Sequence, residues 1–158
     1  MTRERFIELA TAEQEPLRRF LLALCGGDRA EAEDIAQDAL VKAYLASSGY
    51  VERYKFRTWL FKIAYRTFLD HARRPHPERM PDAGWQAESD LGADAAFRHE
   101  ALYRAIDQLP EQSRAAVLLY HIDGYSILDI AAITHSNPVA VRQRLSRGLR
   151  LLRKILKP

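Results

Sequence analysis

The sequence predicts an all-α protein made of two small helical domains joined by a flexible acidic linker, the C-terminal domain being a helix-turn-helix. Three observations lead there. Apolar residues recur at three- and four-residue spacing along most of the chain, no stretch reads convincingly as a strand, and residues 75–96 gather Pro75, Pro77, Pro81, Gly84 and Gly92 among acidic side chains. The boundaries are 1–74 for the first domain, 75–96 for the linker and 97–158 for the second. With 158 residues, 47% of them hydrophobic, the chain has enough apolar material for two packed cores.

Taken in order, the first helical stretch ends at Gly26-Gly27-Asp28, where Asp28 and Glu31 have the spacing of an N-cap and its reciprocal partner. The next helix carries Ala32, Ile35, Ala36, Ala39, Leu40 and Ala43 on one stripe. Ser47 to Arg53 reads as a loop. A third helix, Tyr54 to Arg74, holds Phe56, Trp59, Leu60, Ile63, Ala64 and Leu69 and stops before Pro75, because the residue preceding a proline is disfavoured in helical geometry. Phe56 and Trp59 are expected in the core. The second helical set begins near Phe97, places Leu102, Ile106 and Leu109 on one side and stops at Pro110. Gln112 to Ile122 forms another helix, ended by Asp123-Gly124, where glycine can take the left-handed conformation. Ser126 caps a short helix with Ile127, Ile130, Ala131 and Ile133; His135-Ser136-Asn137 makes a tight connection, and Pro138 opens the last helix.

Charge is unevenly spread. Residues 1–74 hold 13 basic and 11 acidic side chains, residues 75–96 hold 1 and 5, and residues 97–158 hold 10 and 5. From Val141 onward there are seven Arg or Lys and no Asp or Glu, a profile suited to a polyanion. At 100° per residue, Val141, Leu145, Leu152 and Leu156 fall on one side of the last helix, and Gln143, Arg147, Arg150 and Lys154 opposite, flanked by Arg142, Arg144 and Ser146. Such a helix packs its apolar seam inward and lays its basic side into a major groove, where Arg matches a guanine edge and Gln an adenine edge. Arg142, Gln143, Ser146 and Arg147 are the candidates for base-edge or nearby contacts, Arg150 and Lys154 for phosphates. A basic helix that docks on an acidic protein is the alternative.

Chemistry of other kinds lacks its residues. The five histidines are scattered over different elements, there is no glycine-rich phosphate loop and no His-Glu-x-x-His, and one cysteine excludes both an internal disulfide and a Cys-based metal cage. No cofactor, metal or catalytic group is expected. Cys25, among leucines, is expected to be buried. No apolar run approaches the length of a membrane span and the N-terminus lacks a signal-peptide core, so a cytoplasmic protein without membrane insertion is expected.

The stretches AEDIAQDALVKAY, FRTWLFKIAYRTFLDHARR, LPEQSRAAVLLYHIDG and YSILDIAAITHSNPVAVRQRLSRGLRLL occur in the order found in extracytoplasmic-function sigma factors, and the chain resembles that bacterial family over most of both domains. The resemblance implies a first domain that binds core RNA polymerase and melts the minus-10 element, and a second that reads minus-35 duplex. Asp34, Gln37 and Asp38, at i, i+3 and i+4 away from the apolar stripe, form one polar surface; in similar proteins this surface meets the clamp helices, and the flap is the other implied polymerase contact. Strand separation needs a positive, partly aromatic surface, for which Tyr50, Tyr54, Lys55, Phe56, Arg57, Lys62, Tyr65 and Arg66 supply the residue types, with Lys62, Tyr65 and Arg66 expected to be exposed. The 47–53 loop resembles the one that captures a flipped minus-10 base, and Arg73 and Arg74 would lie near phosphates. The resemblance also implies control by an anti-sigma factor and a linker that threads toward the RNA exit channel; Trp85, an indole in an acidic stretch with little core to enter, is a candidate partner anchor, with loose packing against one domain as the alternative. The chain departs from the family pattern at Arg66 and His135, where many relatives have Asn and Gly. A free-standing helix-turn-helix regulator and an enzyme with a DNA-binding tail are the competing functional classes.

Overall fold

Short polar side chains set most of the helix starts, because each accepts a hydrogen bond from an otherwise orphaned backbone N–H. The structure is a computed structural model and describes residues 1–50, 55–74 and 93–157. The helices are α1 (Arg3–Leu24), α2 (Arg29–Ala46), α3 (Phe56–Ala72), α4 (Ala93–Asp107), α5 (Glu111–Val117), α6 (Ile127–Ile133) and α7 (Pro138–Leu156), with a 3-10 turn over Ser47–Gly49 and no strand among the described residues. Thr2, Asp28, Ser126 and Asn137 cap α1, α2, α6 and α7, accepting from the N–H groups of Arg5, Glu31, Asp129 and Ala140 at 2.9 to 3.2 Å. The positive-φ glycines stand where the sequence places chain breaks, Gly26 and Gly27 after α1 and Gly124 after Asp123.

α5 does not stop at Val117. It continues through one π-helical turn, Leu118–Ile122, whose wider winding is continued by Asp123 N–H donating to Leu118 O at 3.1 Å, five residues back. Pro16 sits inside α1, where it removes one rung of the ladder without ending the helix.

α1, α2 and α3 pack on one another around Phe20, Leu21, Leu24, Ile35, Leu60 and Phe61, all essentially inaccessible. The second unit packs α5, α6 and α7 around Leu118, Leu119, Ile130, Ile133 and Val141. Gly148 lets α7 approach α5 closely: a Cβ there would lie 2.7 Å from Val117 Cγ2. Cys25 is buried, as expected. The two units touch through α3 with α6 and through α1 with α4 and α5, so the buried side chains form one continuous cluster.

Four expectations need correction. α3 begins at Phe56, two residues later than Tyr54, and Tyr54 itself lies outside the described residues. α4 begins at Ala93, so the last four residues assigned to the linker are helical; Trp85 and the rest of 75–92 lie outside the described residues. Leu156, placed on the inner seam of α7, is 48% exposed because the last turn leaves it uncovered. Tyr65 is not exposed but 5% accessible, since the second unit lies across that side of α3.

Candidate nucleic-acid and protein interfaces

α7 has the strongest chemical polarity in the molecule. Val141, Leu145 and Leu152 are buried, while Arg142, Gln143, Ser146, Arg147, Arg150 and Lys154 are exposed and Arg144 is half-buried. α6 and α7 are joined by Thr134 to Asn137. His135 holds φ +53°, which permits the tight reversal, and Ser136 N–H donates back to Ala131 O at 2.8 Å. The short helix, tight turn and capped second helix have the geometry of a helix-turn-helix, in which the outer face of the second helix meets the groove. Arg144, Arg147 and Arg150 also line an open depression of about 500 Å³ against Pro110 to Ser113 at the start of α5. An anionic strand running along this depression would meet three guanidinium groups.

A second basic surface runs along α3. Lys55, Lys62, Arg66 and Arg73, at i, i+7, i+11 and i+18, project from one side and are all exposed, as is Arg74 beyond the helix. Beside this stripe stands an aromatic group. The Tyr50 ring lies 5.1 Å from Trp59 and 5.9 Å from Phe56, and Phe56 in turn lies 5.9 Å from Phe6. Phe56 is buried as expected, but Trp59 is half-buried, so part of its indole remains accessible next to Lys62. Cations flanking accessible aromatic surface are the combination that holds unstacked bases.

Arg57 and Tyr65, expected on this surface, face elsewhere. The Arg57 Nε lies 3.2 Å from Glu13 Oε2, its Nη2 lies 3.8 Å from Asp123 Oδ1, and its guanidinium sits over the Tyr125 ring at 4.9 Å. Burial pushes the Tyr65 hydroxyl up to about 12, with Glu111 adding to the shift and Arg144 and Arg114 opposing it, so charges of the second unit act on this side of α3. Asp123 is raised too, chiefly by burial, against the pull of Arg19 and Arg57. Sequence reasoning missed Asp123 and Tyr125 as structural partners of the first unit. An aspartate before a turn glycine reads locally as a helix stop.

The third surface is acidic and lies on α2. Asp34 and Gln37 are exposed and Asp38 is half-buried, with Asp38 held by His71 of α3 at 3.1 Å and by Lys42 at 3.3 Å. The hydrogen bond from His71, together with the Lys42 contact, outweighs burial and lowers the Asp38 pKa, keeping the carboxylate charged. Val41 and Leu45, 57% and 73% exposed, continue this stripe with apolar side chains. An acidic patch grading into exposed apolar residues suits a partner helix that is basic and partly apolar. No group of three or more metal-binding side chains occurs among the described residues, and no described helix is long and apolar enough to cross a membrane.

Comparison with known proteins matches two separate segments of the chain. Residues 9–76 match the family model described as Sigma-70 region 2, and residues 99–152 match Sigma-70, region 4. The ECF RNA polymerase sigma factor SigW of Bacillus subtilis is 32% identical over 146 residues, spanning 83% of this chain and 78% of the relative. The RNA polymerase sigma-H factor of Pseudomonas aeruginosa is 34% identical over 146 residues, spanning 83% and 76%. Among solved structures, the sigma factor RpoE in complex with the anti-sigma factor NepR from Bartonella quintana superposes with a TM-score of 0.79 at 24% identity, over 97% of both chains. CnrH in complex with the cytosolic domain of CnrY superposes at 0.74 and 23% identity, over 98% of this chain and 89% of the other. Both share its fold.

Proposed function

Because the chain belongs to the extracytoplasmic-function sigma factors of the sigma-70 family, we propose a division of labour among its three surfaces. The outer face of α7 reads minus-35 duplex, with Arg142, Gln143, Ser146 and Arg147 near base edges and Arg144, Arg150 and Lys154 on phosphates. The α3 surface engages the minus-10 element through Tyr50, Tyr54, Lys55, Lys62 and Arg66, with Arg73 and Arg74 on phosphates. Arg57 and Tyr65 stand off this surface, Arg57 held by Glu13 and Asp123 and Tyr65 buried. Asp34, Gln37 and Asp38 receive the clamp helices of core RNA polymerase, and the second domain meets the flap.

One observation carries this reading: the helix-turn-helix ends in a helix whose described charged side chains are all cationic and, Arg144 apart, exposed. Recognition by a dissociable subunit needs no bond-making group, so the protein is read as a non-enzymatic initiation factor that acts where bacterial polymerase does, in the cytoplasm. The solved relative RpoE is bound by an anti-sigma factor, and control by a partner of that type is part of the proposal.

The test is retention of promoter-library DNA by this protein with and without core RNA polymerase, then transcription from the retained fragments. Initiation that needs both components supports the reading. Specific duplex binding by the protein alone, unaffected by core, would replace it with a free-standing regulator.

A further inference from the structure

The outer face of α7 is not uniformly polar. Val139 stands on it, 61% exposed. At about 100° per residue it falls within about 40° of Gln143 and about 20° of both Ser146 and Arg150, so it points with the exposed polar side chains. The buried seam of Val141, Leu145 and Leu152 lies on the opposite side. Leu156, the other large exposed apolar side chain described on α7, belongs to that seam's side and lies about 25 Å farther along the axis.

A single exposed valine is ordinary on a protein surface, so its exposure alone carries no function. Its position does. Val139 is the second residue of α7, and in a helix-turn-helix the N-terminal residues of the second helix are the ones that contact base edges. The polar groups around it are already committed or missing. Asn137 Oδ1 accepts from Ala140 N–H at 2.9 Å to cap the helix, and Pro138 has no N–H to donate. The end of α7 that enters the groove therefore presents methyl groups, where Gln143, one turn farther on, presents an amide. Val139 is also stiff: a β-branched side chain in a helix has one strongly preferred rotamer, so it loses little freedom on contact.

The major groove displays one apolar marker, the 5-methyl group of thymine, which none of the other three bases carries. We infer that the Val139 isopropyl group packs on the 5-methyl of a thymine in the minus-35 duplex and selects an A·T pair there. One helical turn, about 5.4 Å, separates Val139 from Gln143, and stacked bases are about 3.4 Å apart, so the two side chains meet base pairs no more than about two steps apart. This inference rests on the promoter reading of α7 and adds to it a contact that involves no charge.

The experiment uses the full chain bound to core RNA polymerase and a promoter fragment retained from the library. Each thymine of the minus-35 element, on either strand, is replaced singly by deoxyuridine, which deletes one methyl group and leaves every hydrogen-bonding group of the base pair in place. The wild type should lose about fourfold in affinity at one thymine, the size expected for burying a single methyl group. Val139→Ser should bind the thymine and uracil duplexes alike, and Val139→Ile should keep the penalty. The slope of affinity against salt should be the same for all three proteins, because no phosphate contact changes. Since Val139 is exposed, the variants should melt with the wild type. Uracil tolerated at every position by the wild type, or an equal penalty in Val139→Ser, overturns the assignment of Val139 and leaves the promoter reading standing. Equal binding of intact and scrambled minus-35 elements by the wild type overturns the promoter reading, and the assignment with it.

Discussion

His71 on α3 and Asp38 on α2 are joined at 3.1 Å from Nε2 to Oδ2, and Lys42 approaches the same oxygen at 3.3 Å. The acidic face of α2 is therefore held in place from behind by α3, with Asp38 fixed toward one edge while Asp34 and Gln37 remain exposed.

Asp38→Arg is expected to weaken binding to core polymerase by about tenfold or more, since it reverses a charge on the face proposed to receive the clamp helices. The loss of the His71 contact should lower stability by no more than about 1 kcal/mol. A pull-down against core enzyme and a thermal melt check the two halves. Undiminished affinity would remove Asp38 from the polymerase surface.

The same carboxylate gives a pH dependence. Its pKa is lowered in the folded chain, first by the hydrogen bond from His71, so its contribution is present above the ordinary carboxylate range and is lost as pH falls through the lowered value. Wild type is expected to exceed Asp38→Asn in stability by about 0.5–1 kcal/mol at pH 6, after allowing for solvent screening of a group one-third exposed. The gap should close on acidification below the usual carboxylate range. Urea titrations at several pH values measure it; a gap that widens with acid contradicts the assignment.

Arg147→Ala removes an exposed guanidinium from the middle of α7. Loss of about 1–3 kcal/mol of promoter discrimination is expected if it contacts a base edge. Transcription from promoters with intact and scrambled minus-35 elements separates the outcomes: a base contact narrows the ratio between them on removal, a phosphate contact lowers both alike.

His135→Gly should stabilise the turn. His135 is the non-glycine residue with positive φ among those described, and it is exposed, so the imidazole has little packing to lose. Relief of left-handed strain of about 1–2 kcal/mol is partly offset by the greater entropy of an unfolded glycine. The net is a rise of about 1–2 °C in Tm by calorimetry.

Gly148→Ala should do the opposite. Its Cβ would meet Val117 Cγ2 at 2.7 Å, and a buried valine in a helix has one strongly preferred rotamer with which to yield. Overpacking of about 1–3 kcal/mol exceeds the helix-propensity gain of about 1 kcal/mol, so the second domain should melt earlier.

Local signals are the legible ones. Asp28, Ser126 and Asn137 cap their helices because capping is settled within three residues, and Gly124 takes its left-handed conformation for equally local reasons. The sidedness of α7 is readable because its charge and its apolar seam point opposite ways. α3 carries apolar or aromatic residues on more than one side: Leu60, Phe61, Ala64, Tyr65 and Phe68 are all buried. Periodicity alone does not say which aromatic a second unit will cover, and for that reason Tyr65 reads as a surface residue although it is not one. The pairing of Asp123 with Arg19, 104 residues apart, has no sequence signature at all. Each residue is also ordinary where it stands, one in a turn and the other on a helix surface.

The π-helical turn over Leu118–Ile122 gives the second unit a phase adjustment one residue long. Each residue in an α-helix advances by about 100°, so deleting one residue from this turn and restoring ordinary winding would re-aim the chain beyond it. Asp123 and Tyr125 stand on that downstream side, while the core residues Leu118 and Leu119 lie at the turn's beginning. The widened turn thus works as a rotational shim: a change in chain length there would redirect the side chains facing α1 and α3 while leaving the α5–α7 packing its own register.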